Sequence, residues 1–130
     1  MYLLDTHVVL WWIAKEHWRL SEVVCNILDS HKHKIFYSII CPWELAIKES
    51  KGKLLLPNNF FVELPNLGFG CLSINEKHIQ SLRNLPDIHS APFDRLLAAQ
   101  AQIENMTLIT ADRRLLNYPI QLLPSSSLNS

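Results

Sequence analysis

The stretch Pro92-Phe93-Asp94-Arg95-Leu96-Leu97-Ala98-Ala99-Gln100-Ala101-Gln102-Ile103-Glu104-Asn105-Met106-Thr107-Leu108-Ile109-Thr110-Ala111-Asp112 holds one full period of the fold. Pro92 suits a first helical position, because proline's missing N–H would have no partner there in any case. From it, Phe93, Leu96, Leu97, Gln100, Ala101 and Glu104 recur at the i, i+3, i+4, i+7 spacing of one helix face. Ala98, Ala99 and Ala101 let that helix lie close on a sheet. Thr107–Thr110 then reads as a short apolar strand, and Asp112 follows within two residues of its end.

Working outward, similar β-like runs occur at Tyr2–Leu4, Ile35–Ser38, 71–74 and 120–123, with helical patterns between most of them. Such alternation predicts an α/β protein with a mainly parallel central sheet of about five short strands and helices on its faces. Ser21 can cap a helix carrying Val23, Val24, Ile27 and Leu28 on one face, and Asn75 can cap another carrying Ile79 and Leu82. Pro42, like Pro92, is expected at the first position of a helix. No repeat or linker interrupts the chain, so residues 1–124 read as one domain and 125–130, with Ser125, Ser126 and Ser127, as a flexible Ser-rich tail.

Four acids stand out by position. Asp5 directly follows the first strand and Asp112 the fourth, while Glu44 and Asp94 lie two residues after Pro42 and Pro92, in the expected first turns of two helices. In open parallel sheets, sites form at the carboxyl ends of strands, where the following helices also begin. All four acids are therefore expected at one edge. Converging carboxylates repel, and a hard divalent cation resolves the conflict because Mg²⁺ prefers oxygen donors. One or two such ions could activate water and stabilise the oxyanion leaving a phosphodiester. A plainer reading exists for each acid alone. Glu44 and Asp94 could serve the helix dipole, worth about 0.3–1 kcal/mol, and Asp112 could be a turn residue or pair with Arg113 or Arg114. Asp5 has no obvious cap or partner role, and it is the joint placement of the four that favours a site.

Composition narrows the partners. Length, at 130 residues, fits one core. Twelve Lys and Arg balance twelve Asp and Glu. No global positive field draws in nucleic acid, so any RNA contact must come from a local basic patch or bound metal. Zero net charge with a mean hydropathy of +0.07 hints that a partner covers some apolar surface. Cys25, Cys41 and Cys71 are odd in number and lack C-x-x-C spacing, which suits reduced thiols in the cytoplasm; all three read as small core hydrophobes. The first residues reach an acid at Asp5 without a basic region, unlike a signal peptide, and the longest apolar run, 8–14, is too short to cross a membrane.

Together these stretches resemble a PIN domain, and in particular the VapC family of toxin ribonucleases. The resemblance is carried by Tyr2-Leu3-Leu4-Asp5-Thr6-His7 with Leu10-Trp11-Trp12, by Trp43-Glu44-Leu45-Ala46-Ile47-Lys48 with Gly52-Lys53-Leu54, by Leu85-Pro86 with His89, by Pro92-Phe93-Asp94-Arg95 with Ala99-Gln100-Ala101, and by Leu108-Ile109-Thr110-Ala111-Asp112. These run in family order from residue 2 to 112. The resemblance implies a three-layer α/β/α PIN-like fold, an endoribonuclease dependent on Mg²⁺ or Mn²⁺, and inhibition by a small cognate antitoxin, the pair forming a type II toxin–antitoxin system. It also implies a homodimer. Asp5, Glu44, Asp94 and Asp112 match the family's acidic quartet, as catalytic residues and metal ligands, and Thr110 matches a hydroxyl residue beside the last acid. One position departs: relatives usually carry Asp where this chain has Ala91, so a PIN fold attenuated into an RNA- or protein-binding module is the alternative. Asp87 in the same loop could compensate. A phosphatase using Asp5 as nucleophile is disfavoured by His7, since such enzymes often place a second acid there.

Thr6, His89, Arg95 and Lys48 are further candidates for substrate or supporting contacts. Lys48, Lys51 and Lys53 cluster after Glu44, and Arg95, Arg113 and Arg114 flank the later acids, where phosphate positioning competes with an ordinary solvated face. His31 and His33 sit in a Lys-rich turn without ligand-spaced partners and read as solvated loop. His7 is expected to pack beside Asp5 at a helix start. Trp11 and Trp12 could offer a stacking platform, yet adjacent helical residues point apart, so at least one belongs to the core.

Overall fold

The computed structural model of the chain describes residues 1–87 and 91–126; His89 lies outside the described residues. Five strands, β1 (Tyr2–Leu4), β2 (Ile35–Ser38), β3 (Gly70–Leu72), β4 (Thr107–Thr110) and β5 (Leu122–Pro124), form one all-parallel sheet in the order β3-β2-β1-β4-β5. Between them run α1 (Thr6–Ile13), α2 (Glu22–Asp29), α3 (Ile40–Ser50), α4 (Phe60–Glu63), α5 (Glu76–Ser81) and α6 (Pro92–Ile103).

Alternation along the strands sorts the core into two halves. Leu4 of β1 and Ile109 of β4 face one side, packed with Val8 and Val9 of α1, Val24 and Leu28 of α2, Leu45 of α3 and Phe60 of α4. Leu3 and Leu108, one residue earlier in each strand, face the other side with Leu97, Ala98 and Ala101 of α6. The sheet is thus covered on both faces, giving the three layers α/β/α.

The expected bounds hold for β1, β2 and β4, and shift for the edge strands. β3 runs Gly70–Leu72, and Gly70 pairs with Phe36 of β2, whose ring a side chain there would meet at 2.5 Å. β5 runs Leu122–Pro124, so Leu123 pairs with Ile109. Ser125, assigned to the tail from sequence, is buried instead: its N–H donates to Thr110 O at 2.8 Å and its carbonyl accepts from Ser21 N at 2.8 Å. Residues 127–130 are outside the described residues.

Local signals explain the helix starts, with corrections. Ser21 caps α2 through the Val24 N–H, but Val23 points outward and only Val24, Ile27 and Leu28 are buried. Asn75 caps α5 reciprocally with His78. His78, not Ile79, is the residue α5 buries: its Nε2 meets Glu104 Oε2 at 2.8 Å, while Ile79 stays 54% exposed. A fully paired imidazole can replace an apolar anchor because none of its polar atoms is left unsatisfied. Pro92 opens α6 as expected, but α3 begins at Ile40, two residues before Pro42, because the Ser38 hydroxyl accepts the Ile40 N–H at 3.1 Å. Pro42 is tolerated third in the helix, where an N–H has no intrahelical partner anyway. Of the three cysteines only Cys41 is buried; Cys25 is half-buried and Cys71 exposed at the edge strand β3.

Candidate active site

Sheet order decides where the site falls. The chain leaves β1 for β2 and β3 on one side, then crosses back to place β4 on the other side of β1. The carboxyl ends of β1 and β4 therefore flank the point where winding reverses, the position at which crevices open in such sheets. Leu4 is in register with Ile109, and Asp5 N donates to Ile109 O at 2.9 Å, which sets Asp5 beside Thr110.

An unbroken line of polar contacts crosses this edge. Lys48 Nζ lies 2.9 Å from Glu44 Oε2, and the Thr6 hydroxyl donates to Glu44 Oε1 at 2.8 Å. Thr6 N donates to Asp5 Oδ1 at 2.6 Å, and the Thr110 hydroxyl donates to Asp5 Oδ2. The same Thr110 oxygen accepts from Asp112 N at 3.0 Å, and Asp112 in turn holds Arg114, with Nε to Oδ1 at 3.2 Å and Nη2 to Oδ2 at 3.3 Å. Thr6 and Thr110 are both buried, and each joins two of the acids, Thr6 through its backbone N–H and its hydroxyl, Thr110 through its hydroxyl alone.

The line forms one wall of a cleft of about 600 Å³. Asp5, Glu44, Asp94 and Asp112 all border it, with His7, Trp11, Lys48, Ala91, Phe93 and Arg114 among the other lining residues. Asp94 reaches it from the first turn of α6. The Trp43 and Phe93 rings meet edge to face at 4.8 Å, tying α6 to α3 and holding the two helix-borne acids on the same cleft. Because α3 starts early, Glu44 is one full turn inside it and not in its first turn, so the helix-dipole reading of Glu44 falls away.

Asp5 is only 5% exposed and Glu44 only 9%. Burial pushes the Asp5 carboxyl above its usual range, and the nearby Glu44 charge adds to the rise; the hydrogen bonds from Thr110 and Thr6 and the charge of His7 act the other way. Burial likewise raises the Cys41 thiol, with Asp5 and Glu44 reinforcing it, which leaves that neighbour of the site an unreactive thiol.

The cleft suits a hard cation by donor type, since its four acids offer only oxygen. Among the described residues no three His, Cys, Asp or Glu side chains form a ready-made metal cage. Mg²⁺ does not require one, because it is held by one or two carboxylates and keeps several waters. Asp5, Glu44, Asp94 and Asp112 are the residues that could hold it, and a cation would also relieve the buried like charge that raises Asp5.

Other sequence candidates scatter. Thr6, Thr110 and Lys48 belong to the line just described, but Arg95 does not line the cleft. Its guanidinium donates to Pro86 O at 2.9 Å, Leu82 O at 3.3 Å and the Tyr118 hydroxyl at 3.3 Å, pinning the segment before α6. Arg114 takes the place on the cleft that sequence reasoning offered to Arg95; its signal was the spacing of two residues from Asp112 in a tight turn. His7 is exposed on the cleft and its ring lies 5.7 Å from that of Trp11, while Trp12 turns away to stack on His17 at 4.2 Å. His31 and His33 are solvent-exposed.

Ala91 occupies the N-cap of α6 in extended backbone, φ −68° and ψ 117°, with no side-chain cap. An Asp in this conformation accepts a first-turn N–H. The variant Ala91→Asp is expected to be about 0.5–1 kcal/mol more stable than the wild type, seen as a higher urea midpoint at unchanged slope. No gain would show that the segment does not admit a capping carboxylate.

Fold and cleft together define an open parallel α/β protein with a carboxylate-lined crevice at the switch point of its sheet. The chain belongs to the PIN domain family, whose model matches residues 2–120; PIN domains are generally nucleases and typically use a divalent metal. No curated protein shows significant similarity to it in sequence. Among solved structures it is similar to VapBC2 from Rickettsia felis bound to a DNA fragment from their promoter, with a TM-score of 0.71 and 21% identity, covering 94% of this chain and 96% of that one. It is also similar to DNA-bound VapBC from Salmonella typhimurium, with a TM-score of 0.66 and 16% identity over 94% and 96%. A toxin–antitoxin complex from Klebsiella pneumoniae gives a TM-score of 0.64 and 15% identity over 95% and 97%. At these identities the likeness is one of fold. Among the described residues no helix is long and apolar enough to cross a membrane.

Proposed function

We propose that this protein is the toxin of a type II toxin–antitoxin pair, a cytoplasmic endoribonuclease that hydrolyses RNA phosphodiester bonds with Mg²⁺ or Mn²⁺. The observation that carries the reading is the meeting of four acids on one cleft, two of them buried, at the switch point of the sheet. The neighbouring structures are toxin–antitoxin complexes, so a small cognate antitoxin is the expected inhibitor; a homodimer is the assembly that the resemblance to the VapC family implies. The nuclease domain reaches at least Ser125, whose main chain is bonded to Thr110 and Ser21.

One or two divalent cations would be held by carboxylates drawn from Asp5, Glu44, Asp94 and Asp112. A bound divalent cation supplies an acidified water as nucleophile and charge stabilisation for the leaving oxyanion. The chain's own residues do the rest. Thr110 and Thr6 orient Asp5 and Glu44 through the bonds above, so neither carboxylate must be ordered when substrate arrives. Lys48, beside Glu44, offers a cation to the RNA backbone at the cleft wall. Both oxygens of Asp5 are already occupied by Thr6 and Thr110, which suits a held ligand better than an attacking nucleophile.

Purified protein is to be incubated with single-stranded RNA in Mg²⁺, in Mn²⁺ and with chelator. Cleavage that needs the metal supports the reading, and cleavage untouched by chelator sinks it. RNA that binds but stays intact in all three conditions would instead favour the attenuated binding module that Ala91 suggests. Growth arrest on expression, relieved by the small open reading frame beside the gene, tests the toxin role.

A further inference from the structure

Glu44 holds Lys48, one helical turn on, and Asp112 holds Arg114, two residues on. The second pair has the more unusual geometry. Arg114 gives Asp112 three donors at once, its backbone N–H at 3.0 Å to Oδ1 and the guanidinium Nε and Nη2 at 3.2 and 3.3 Å. Yet the Arg114 side chain is 65% exposed while that of Asp112 is 20% exposed. Its anchor is the main chain, and its head is in water at the mouth of the cleft.

These facts bear on what happens when a divalent cation arrives. An ion pair this exposed is weak, because water and salt screen it. It balances the Asp112 charge, and a divalent cation would compete for the same oxygens. The backbone N–H of Arg114 would still hold Oδ1, so the carboxylate would keep its place if the side chain were released. A guanidinium freed here has five donors in a fork that fits a phosphate, and it borders the same cleft as Asp5 and Asp94.

We propose that Arg114 is a partner-switching, RNA-binding residue: it pairs with Asp112 while the cleft is empty and takes a phosphate of the RNA backbone once a divalent cation occupies Asp112. This rests on the metal-dependent reading of the cleft given above. Lys48 differs, since its Glu44 partner is buried and also held by Thr6, so the exchange falls to the arginine.

The test uses the full-length chain as wild type, Arg114→Gln and Arg114→Lys. Mn²⁺ binding is measured by calorimetry without RNA, and binding of a fluorescent mixed-sequence single-stranded RNA 20-mer by anisotropy in Ca²⁺ across a salt series. Arg114→Gln should bind Mn²⁺ about two- to fivefold more tightly, its internal competitor gone, and RNA about five- to tenfold more weakly. Its plot of log affinity against log salt should be shallower by about 0.7, the loss of one phosphate contact to a single strand. Arg114→Lys should restore the salt slope but keep the tighter Mn²⁺ binding, because lysine lacks the fork that grips Asp112. Unchanged or weaker Mn²⁺ binding by Arg114→Gln overturns the proposal, as does an unchanged salt slope. If the wild type itself binds no Mn²⁺, the metal reading falls and the inference with it.

Discussion

Replacing Asp5 by Asn is expected to slow RNA cleavage in Mg²⁺ by about a thousandfold or more, the scale of losing a principal charge-stabilising group, while the metal-free variant melts no lower than the wild type. The two halves of this result have one cause. Asp5 is 5% exposed and shares its surroundings with Glu44, so its ionised form is costly, and burial raises its pKa above the ordinary 3.8. An acid whose folded pKa is raised binds its proton more tightly folded than unfolded. Its favourable contribution is therefore complete below the unfolded value and is lost as pH rises through the folded one. Asn imitates the neutral form at every pH. In chelator, the wild-type melting temperature should fall with rising pH across that window more than the variant's does; parallel curves would refute the argument. Added Mg²⁺ should raise the melting temperature of the wild type more than that of Asp5→Asn, because a carboxylate that is costly when empty is the one a cation stabilises most. Circular dichroism and a fluorogenic RNA measure both. An active Asp5→Asn protein would remove the basis for the proposed chemistry.

Thr110→Val comes second in expected size. Valine keeps the shape and the β-branch of a strand residue, so β4 and its pairing with β1 and β5 survive. What goes is one oxygen that donates to Asp5 Oδ2 and accepts from Asp112 N. Two polar groups lose a partner at a site where the hydroxyl itself is buried. Leaving such groups unpaired costs about 1–3 kcal/mol. Cleavage should fall about ten- to a hundredfold, since the two strand-end acids lose the bridge that sets their spacing. Thr110→Ser should recover most of the activity, as it keeps the oxygen and loses only a methyl. A serine variant as poor as the valine one would show that packing, not the hydroxyl, is what the site needs.

Much of this was legible in the residues. The run 92–112 displays a helix, a strand and an acid in order, and each is a local property: 3.6-residue periodicity, a β-rich apolar run, and a residue just beyond its end. Asp5 and Asp112 could be placed at strand ends for that reason. Asn75 and Ser21 were readable as caps because a cap bonds within its own first turn. Errors arose where another group outbid the signal being read. Pro42 marked the start of α3 two residues late because Ser38, the last residue of β2, captures the Ile40 N–H. Ile79 looked like the anchor of α5, but Glu104 at the end of α6 makes His78 the residue worth burying. Ser125 looked like tail until β5 carried it against Thr110 and Ser21. Arg95 and Arg114 are equivalent as sequence, each an arginine one or two positions after an acid, and only carbonyls of the preceding segment draw Arg95 away from the cleft.

By itself, then, the sequence determined the alternating α/β plan, the positions of Asp5 and Asp112 past their strands, and the membership of Glu44 and Asp94 in helices, because hydrogen-bond periodicity and capping act within a few residues. Tertiary structure alone decided that β4 lies beside β1 and that Thr6 and Thr110 join the acids into one line, whereas Lys48 and Arg114 meet their acids within about one turn of chain. Strand order follows from how both faces of the sheet are buried at once, a condition on the whole chain that no short stretch of residues contains.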